Sequence, residues 1–383
     1  MYRRIFFSFG AVLFYLLSAA QFKVQIQIIS VPESAVSDIF LAGSFNGWAP
    51  ADKNFQFEKK ADGKYFLDFS LSKGFYEFKI TRGGWQQAEC KADGSDITNR
   101  VLQLVSDTAL SISVEGWKDQ FSTTARKSTA GRNVRILDTA FFIPQLNRQR
   151  RIWIYLPERY YFSSKRYPVL YMHDGQNVFD DLTSYAGEWG VDECLDTLAA
   201  RAKECIVIGI DNGGHRRLNE YCPYDFSLSG IAANAASGKG EGKEYAEFLV
   251  KTLKPFIDKN YRTLPGRKNT FIAGSSMGGL ISMYAVLRYP EVFGGAGVFS
   301  PAFWIAPAIF NDIQARGKKV KARIYFYAGD LEGESMVSDT EKAYTLSRQY
   351  SHIKTVIVIR KEGRHNEARW RKEFPAFYTW MMQ

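Results

Sequence analysis

The chain is most constrained by one stretch, residues 269–280 (NTFIAGSSMGGL), where a short apolar strand ends in Gly-x-Ser-x-Gly and passes directly into a helix. A serine hydroxyl is a weak nucleophile until a base takes its proton, and a tight strand-to-helix turn exposes its oxygen to such a base. Gly274 and Gly278 leave room for this turn because neither carries a Cβ. The pattern predicts a nucleophile at Ser276; the alternative is a serine that only caps the helix.

Beyond residue 134 the sequence predicts a mostly parallel sheet with helices on both faces. Apolar runs separated by stretches of helical spacing cover residues 152–156, 168–172, 206–210, 270–273, 295–299, 324–327 and 353–359. Near-continuous apolar strands alternating with helices indicate an α/β fold whose sheet is covered on both sides. Ligands of such sheets bind beyond the carboxyl ends of the strands, where Ser276 falls.

The N-terminal part has a different pattern. Short alternating strands at residues 23–29, 38–42, 65–69, 75–81 and 111–114 predict a small all-β sandwich over residues 21–117. Residues 118–133 are polar and read as a linker to an α/β domain at 134–383. A chain of 383 residues is long enough for one large and one small domain.

Residues 1–20 have the layout of a cleavable secretory signal. Arg3 and Arg4 precede an apolar stretch over residues 5–17 and a small-residue end, Ser18-Ala19-Ala20. The alternative, an uncleaved anchor, would need ~20 apolar residues to span a bilayer. The prediction is therefore an exported protein, periplasmic or secreted, with no stable membrane insertion after cleavage.

The net charge and the cysteine content limit the classes of partner and metal site that we expect. The net charge is +10, but no dense run of Lys and Arg occurs, which favours a solvated basic surface over a nucleic-acid groove. The four cysteines lack the paired spacing of a zinc site, and their disulfide state is left open: Cys90, Cys194, Cys205 and Cys222. No metal is predicted, and the oligomeric state is also open.

A serine nucleophile needs a general base, and histidine is the side chain whose proton affinity suits neutral pH. The candidates are His173, His215, His352 and His365. In the chain order of α/β-hydrolases (serine, acid, histidine), only His352 and His365 follow Ser276. His352 precedes the last predicted strand, at the wrong end of the sheet. His365 follows that strand and is predicted as the base; the alternative is a surface histidine.

The acid that orients this base should follow the preceding strand. The loop there reads GDLEGE over residues 329–334. Asp330 and Glu332 both fit the spacing, and Glu334 is a distant third.

The oxyanion formed during attack needs two N–H donors, one after the nucleophile and one after an early strand. Met277 supplies the first. The segment HDGQN (173–177) follows the strand at 168–172, which places the second donor at Gly175 or Gln176. His173 is positioned to shape this loop rather than to transfer a proton.

Four motifs occur in order: YMHDGQNVF (171–179), IGIDN (208–212) followed by Arg217 and Glu220-Tyr221, GSSMGG (274–279) and SPAFW (300–304). Together they resemble the esterase-D-type putative esterases, a group that includes feruloyl and acetyl xylan esterases, enterochelin esterases and mycolyltransferases. The resemblance covers about residues 134–382 and implies an α/β-hydrolase fold. It also implies that the acid ends a Gly-x-x-Asp/Glu motif, hence Glu332, and that the loop donor is Gln176.

Two N-terminal motifs, GSFNGW (43–48) and YEFKIT (76–81), resemble the glycogen-binding and early-set immunoglobulin-like domains of carbohydrate-active enzymes. Members of that family form a sugar platform, because aromatic faces stack on pyranose rings while polar groups bind hydroxyls. The resemblance implies a platform of Trp48, Lys79 and Trp85, and less closely Asn99. TRGGW (81–85) replaces the acidic turn of starch-binding relatives; the alternative is core or interdomain packing of the tryptophans.

These features predict a serine carboxylic-ester hydrolase without metal or organic cofactor. Its expected substrates are feruloyl or acetyl esters on plant polysaccharide. The candidate substrate contacts are Arg217, Trp189 and Trp304; the alternatives are a solvated loop for the arginine and aromatic packing for the two tryptophans. One alternative is a siderophore trilactone esterase, in which Arg216 and Arg217 hold an anionic catecholate. The alternative of another class is a non-catalytic carbohydrate-binding protein on a hydrolase scaffold.

Overall fold

The computed structural model describes residues 21–32, 38–95, 97, 99–121, 127–185, 187–200, 202–227, 237–351 and 354–383. The predicted signal segment, residues 1–20, and His352 lie outside the described residues.

The N-terminal part is built of β-strands. They are β1 (Gln21–Ser30), β2 (Phe40–Gly43), β3 (Glu58–Lys59), β4 (Tyr65–Ser72), β5 (Gly74–Thr81), β6 (Glu89–Cys90), β7 (Arg100–Leu104), β8 (Thr108–Ser113) and β9 (Gly116–Trp117). One sheet has the order β3-β4-β1-β8, a second has β2-β5-β7, and β6 pairs with β9. Alternate residues such as Val24, Ile26 and Phe78 fill a shared core, which confirms the predicted small β domain.

The C-terminal part is organised on an eight-stranded mixed sheet of order β10-β11-β13-β12-β16-β17-β18-β19. The remaining strands are β10 (Val134–Ile143), β11 (Arg148–Tyr155), β12 (Val169–His173), β13 (Ile206–Ile210), β14 (Phe226–Ser227), β15 (Ser237–Gly238), β16 (Thr270–Ser275), β17 (Gly295–Phe299), β18 (Arg323–Gly329) and β19 (Lys354–Arg360). Only β10 and β11 run antiparallel to their neighbours in this sheet, and all pairs from β13 to β19 are parallel.

Helices cover both faces of this sheet. They are α1 (Val191–Leu198), α2 (Arg217–Tyr221), α3 (Gly242–Phe248), α4 (Lys254–Asn260), α5 (Met277–Arg288), α6 (Ala308–Arg316), α7 (Glu334–Tyr350) and α8 (Glu367–Met381). Successive residues of one strand enter opposite cores: Ile208 packs with Leu280 of α5, whereas Val207 packs with Phe377 of α8. The α/β-hydrolase fold expected from the sequence is thereby confirmed.

The carboxyl ends of β16, β17, β18 and β19 lie side by side at one edge of the sheet. The segments that follow them carry Ser276, Ser300, Glu332 and His365 in that spatial order. Topology alone thus gathers side chains from four distant parts of the sequence. Among the helices of the described residues, none combines the length and apolar character required to cross a bilayer.

Candidate active site

Ser276 occupies the turn between β16 and α5 with a strained backbone. Its φ of +58° and ψ of −120° lie outside the regions open to most side chains. The turn is held because the Ser276 N–H donates to the Phe299 carbonyl (2.9 Å) and the Ser276 carbonyl accepts from the Ala302 N–H (3.1 Å). A Cβ at Gly274 would lie 3.0 Å from the Gly278 backbone, so the glycine permits this tight approach.

Glu332 and His365 form a hydrogen-bonded pair at the same edge. Nδ1 of His365 lies 2.9 Å from Oε2 of Glu332. The other carboxylate oxygen, Oε1, accepts from the Gly329 N–H (2.8 Å) and the Ser300 hydroxyl (2.9 Å). Because the Glu332 side chain is fully buried with both oxygens bonded, its position relative to the imidazole is fixed. Asp330, which fits the spacing equally well, is exposed.

Carboxylates surround the His365 imidazole. Burial acts to lower the pKa of His365, but the hydrogen bond and charge of Glu332, followed by the charges of Glu77 and Glu367, raise it above its ordinary value. Burial also raises the pKa of the Glu367 carboxyl to about 7. The ring of His365 packs perpendicular to Trp370, with ring centroids 5.0 Å apart. The site therefore increases the proton affinity of the imidazole.

The predicted nucleophile and the predicted base are connected through β17. The Ser276 N–H donates to the Phe299 carbonyl, and the hydroxyl of the next residue, Ser300, donates to the Glu332 carboxylate. The same carboxylate is hydrogen-bonded to Nδ1 of His365. In the described part of the chain, no hydrogen bond joins the Ser276 hydroxyl to His365 directly. Such contacts are often long before substrate binds. Since Nδ1 faces Glu332, Nε2 is the imidazole nitrogen left to accept a proton.

The loop after β12 packs tightly on β13. A Cβ on Gly175 would lie 2.7 Å from the Gly209 backbone, so only glycine fits there. Gln176 is 3% exposed, and its Oε1 accepts a backbone N–H just after β13 (3.2 Å). Met277 is buried at the start of α5, and β12 and β16 are neighbouring strands. Gln176 and Met277, the two predicted oxyanion donors, therefore follow neighbouring strands at the same edge of the sheet.

His173 packs beneath the nucleophile turn. Its Nδ1 lies 3.0 Å from the Tyr245 hydroxyl, and burial lowers its pKa to about 3. A Cβ at Gly274 would come within 3.0 Å of the His173 ring. The residue is therefore a neutral packing group at neutral pH.

The predicted substrate contacts have different environments. Arg217 is held by Asp174 through two hydrogen bonds, from Nε (2.6 Å) and Nη2 (2.9 Å). Trp189 is 3% exposed and stacks on Trp370 at 5.6 Å. This environment matches the packing alternative, and the role of Trp189 as a substrate wall stays a prediction. Trp304 is half-buried against the core on the opposite face of the sheet, the one that contains Leu280.

The predicted sugar platform lies at the junction of the two parts of the molecule. The half-buried rings of Trp48 and Trp85 have centroids 6.1 Å apart. Trp85 also contacts Tyr185, which precedes α1, at 6.5 Å. Lys79 is only 5% exposed, which contradicts its expected place on an open sugar-binding surface. The geometry matches the alternative of interdomain packing.

Two residues important to the site were missed at the level of sequence. Ser300 has a φ of +41°, and its hydroxyl bonds Glu332 while accepting from the Trp370 indole N–H (2.9 Å). Trp370 thus supports both the acid, through Ser300, and the base, through ring contact. A Ser-Pro pair directly after a strand was the signal that could have indicated Ser300.

The next features are the possible metal ligands and the cysteines of the described residues. No group of three His, Cys, Asp or Glu side chains among them is arranged to hold a metal ion. The four cysteines are free thiols: Cys90, Cys205 and Cys222 are buried, and Cys194 is partly buried.

A family model described as "Putative esterase" matches residues 143–381. The sequence resemblance is thereby confirmed for the α/β part. The likeness of the N-terminal part to glycogen-binding domains stays a prediction.

Two curated relatives align with the chain. An uncharacterized protein, YbbA, of Bacillus subtilis is 26% identical over 243 residues, which is 61% of this chain and 92% of the relative. An endo-1,4-beta-xylanase/feruloyl esterase of Xylanibacter ruminicola is 27% identical over 235 residues. The second alignment spans 59% of this chain but 28% of that larger protein.

A solved structure is similar over nearly the whole chain. It is the enterobactin esterase FES from Shigella flexneri, with a TM-score of 0.53 and 15% identity. The match covers 94% of this chain and 92% of that one. At this identity it shows a shared fold.

Proposed function

We propose, because this chain belongs to the putative esterase family, that it hydrolyses carboxylic esters through an acyl-serine intermediate on Ser276. The observation that carries the proposal is the 2.9 Å hydrogen bond between His365 and Glu332. It lies at the sheet edge where Ser276 stands in a strained turn. A carboxylate on Nδ1 selects the tautomer whose Nε2 can accept a proton.

The reaction has two halves. The Ser276 oxygen attacks the ester carbonyl carbon while its proton passes to Nε2 of His365, and the N–H groups of Met277 and Gln176 hold the oxyanion. His365 then gives the proton to the departing alcohol, leaving the acyl group on Ser276. Water attacks this acyl ester with His365 again as base, which releases the acid and restores the serine.

For the substrate we propose feruloyl or acetyl esters on plant polysaccharide. Support comes from the relative named as a xylanase and feruloyl esterase, whose alignment spans 59% of this chain. Action on such polymers also fits the predicted export signal. N-terminal sequencing of the mature protein would test this signal, and we expect the mature chain to begin after Ala20.

A siderophore trilactone esterase is the second candidate, favoured by the likeness to an enterobactin esterase over 94% of the chain. An anionic catecholate would need unpaired cationic groups. The Arg217 guanidinium already donates twice to Asp174, so its charge is largely neutralised. Exposed Arg216 remains as a basic contact, and we therefore rank this substrate second.

Activity measurements separate these proposals. Wild-type protein is expected to cleave methyl ferulate or acetylated xylan, and Ser276→Ala to lose the activity by at least about 10³-fold. Cleavage of ferric enterobactin alone would favour the siderophore substrate. Lack of a phosphonate adduct on Ser276, together with tight polysaccharide binding, would support the non-catalytic alternative.

A further inference from the structure

The strand β5 is buried on both faces, although a lone sandwich would expose one of them. Residues alternate along a strand, and Phe78 and Ile80 point into the N-terminal core. The opposite face carries Glu77, Lys79 and Thr81, which are 8%, 5% and 0% exposed. Two of these three side chains are charged. Thr81 is covered within the N-terminal part, because its hydroxyl donates to the Pro50 carbonyl and its backbone pairs with Ala88. The burial of the charged Glu77 side chain is the feature that needs an explanation.

Charged groups at the catalytic edge of the α/β part act on the buried Glu77 carboxyl. Burial raises the pKa of this carboxyl; the charges of His365 and Arg364 lower it, and that of Glu332 raises it. On the other side of Glu77, its cross-strand partner Val101 is 43% exposed. The cover over Glu77 therefore does not extend to Val101 on the neighbouring strand.

The Glu77 carboxylate is anchored within its own domain. Its Oε2 accepts from Nδ2 of Asn99 (3.1 Å), and the Glu77 N–H donates to the Ser44 hydroxyl (3.2 Å). A carboxylate that is buried and held in this way has a fixed position relative to its surroundings.

A second contact joins the N-terminal part to the same edge. The Trp85 ring meets Tyr185 at 6.5 Å, and the Tyr185 N–H donates to Oδ1 of Asn177 (3.3 Å). Nδ2 of Asn177 in turn donates to Glu367 (3.0 Å), two residues after His365. The N-terminal part therefore approaches the loop of the base from two directions.

We propose that the N-terminal domain completes the active site, with Glu77 as a positioning residue that faces the His365 imidazole and stabilises the imidazolium formed during catalysis. This inference rests on the proposed function for its catalytic consequence. The charged groups around His365 are Glu332 after β18, Glu77 on β5, Glu367 at the start of α8 and Arg364 on the same loop. Glu332 and Glu77, together with Glu367 where it is ionised, oppose one guanidinium and so increase the proton affinity of the ring.

The direct test is an NMR titration of the full-length protein. The His365 resonance is assigned with His365→Asn, and its pKa is compared between wild type and Glu77→Gln, a variant that keeps the size of the side chain. We expect the His365 pKa to fall by about 0.5 or more, as for loss of a nearby buried charge. Glu58→Gln is the matched control, because Glu58 is an exposed carboxylate of the same domain. A fall no larger than in this control would overturn the proposal.

The reciprocal measurement needs no Glu77 variant and so does not depend on how that variant folds. Because the charge of His365 lowers the pKa of Glu77, the Glu77 carboxyl in His365→Asn should titrate at higher pH than in wild type. An unchanged value would contradict the proposed contact.

Kinetics then separate this inference from the proposed function. With p-nitrophenyl acetate, Glu77→Gln should shift the lower midpoint of the kcat/KM pH profile downward by the same amount as the NMR value, with KM unchanged. If wild type shows no Ser276-dependent hydrolysis, the proposed function fails, while the two titrations still decide whether Glu77 faces His365.

Discussion

Replacement of Glu332 by glutamine removes one charge while keeping the shape of the side chain. The Oε1 position accepts two hydrogen bonds, from Gly329 and Ser300, so it must stay a carbonyl oxygen in the variant. The new NH₂ group then faces Nδ1 of His365 in place of Oε2. A donor facing Nδ1 requires a lone pair there, which moves the imidazole proton to Nε2. That nitrogen can then no longer take the proton of Ser276.

The expected loss in kcat is about 10³- to 10⁴-fold, or ~4 to 5.5 kcal/mol in the activation barrier. It is measured with p-nitrophenyl acetate at pH 8, and KM should change little because the carboxylate does not contact substrate. Asp330→Asn is the matched control on the same loop, since Asp330 is exposed, and it should stay within about twofold of wild type. An activity of Glu332→Gln within tenfold of wild type, or a larger loss in the control, would refute this reasoning.

Three further outcomes are expected. The pKa of His365 is raised above 6.5, and the imidazole must be neutral to act as a base. We therefore expect kcat/KM to rise with pH through a midpoint above 6.5. A fitted midpoint below about 6 would contradict this. Gly175→Ala would place a Cβ 2.7 Å from the backbone of β13 and should lower the free energy of unfolding by about 2 to 4 kcal/mol in urea titrations, whereas Gly266→Ala, with open space around it, should be nearly neutral. Trp370→Phe keeps an aromatic ring but loses the N–H bond to Ser300, so we expect a destabilisation of about 1 kcal/mol by thermal unfolding; no measurable change would argue that this bond contributes nothing.

The strands of the α/β part were predictable because each is a short apolar run between helices. All seven predicted runs overlap strands of the main sheet. The missed strand, β10, lies at the sheet edge, and most of its side chains are exposed or half-buried. An edge strand half open to solvent has no continuous apolar run, so its sequence lacks the signal on which the prediction rested. In the N-terminal part, β3, β6 and β9 are two residues each, too short for any periodicity.

Side-chain environments were less predictable than strands. Trp189 was expected at a substrate wall but stacks on Trp370 in the core. A tryptophan serves either purpose with the same local sequence, because its apolar area drives burial wherever a partner ring is available.

The sequence by itself determined the strand-to-helix turn at Ser276 and the chain order of nucleophile, acid and base, because these depend on local backbone chemistry and on the alternation of strands and helices. Spacing alone left Glu332 and Asp330 equal and only the family resemblance favoured Glu332, whereas the tertiary structure shows Glu332 hydrogen-bonded to His365. It also brings Glu77 of the N-terminal part close enough for the charge of His365 to act on its carboxyl. Both outcomes depend on how segments far apart in the chain pack together, and packing of this kind leaves no periodic mark in the sequence of either segment.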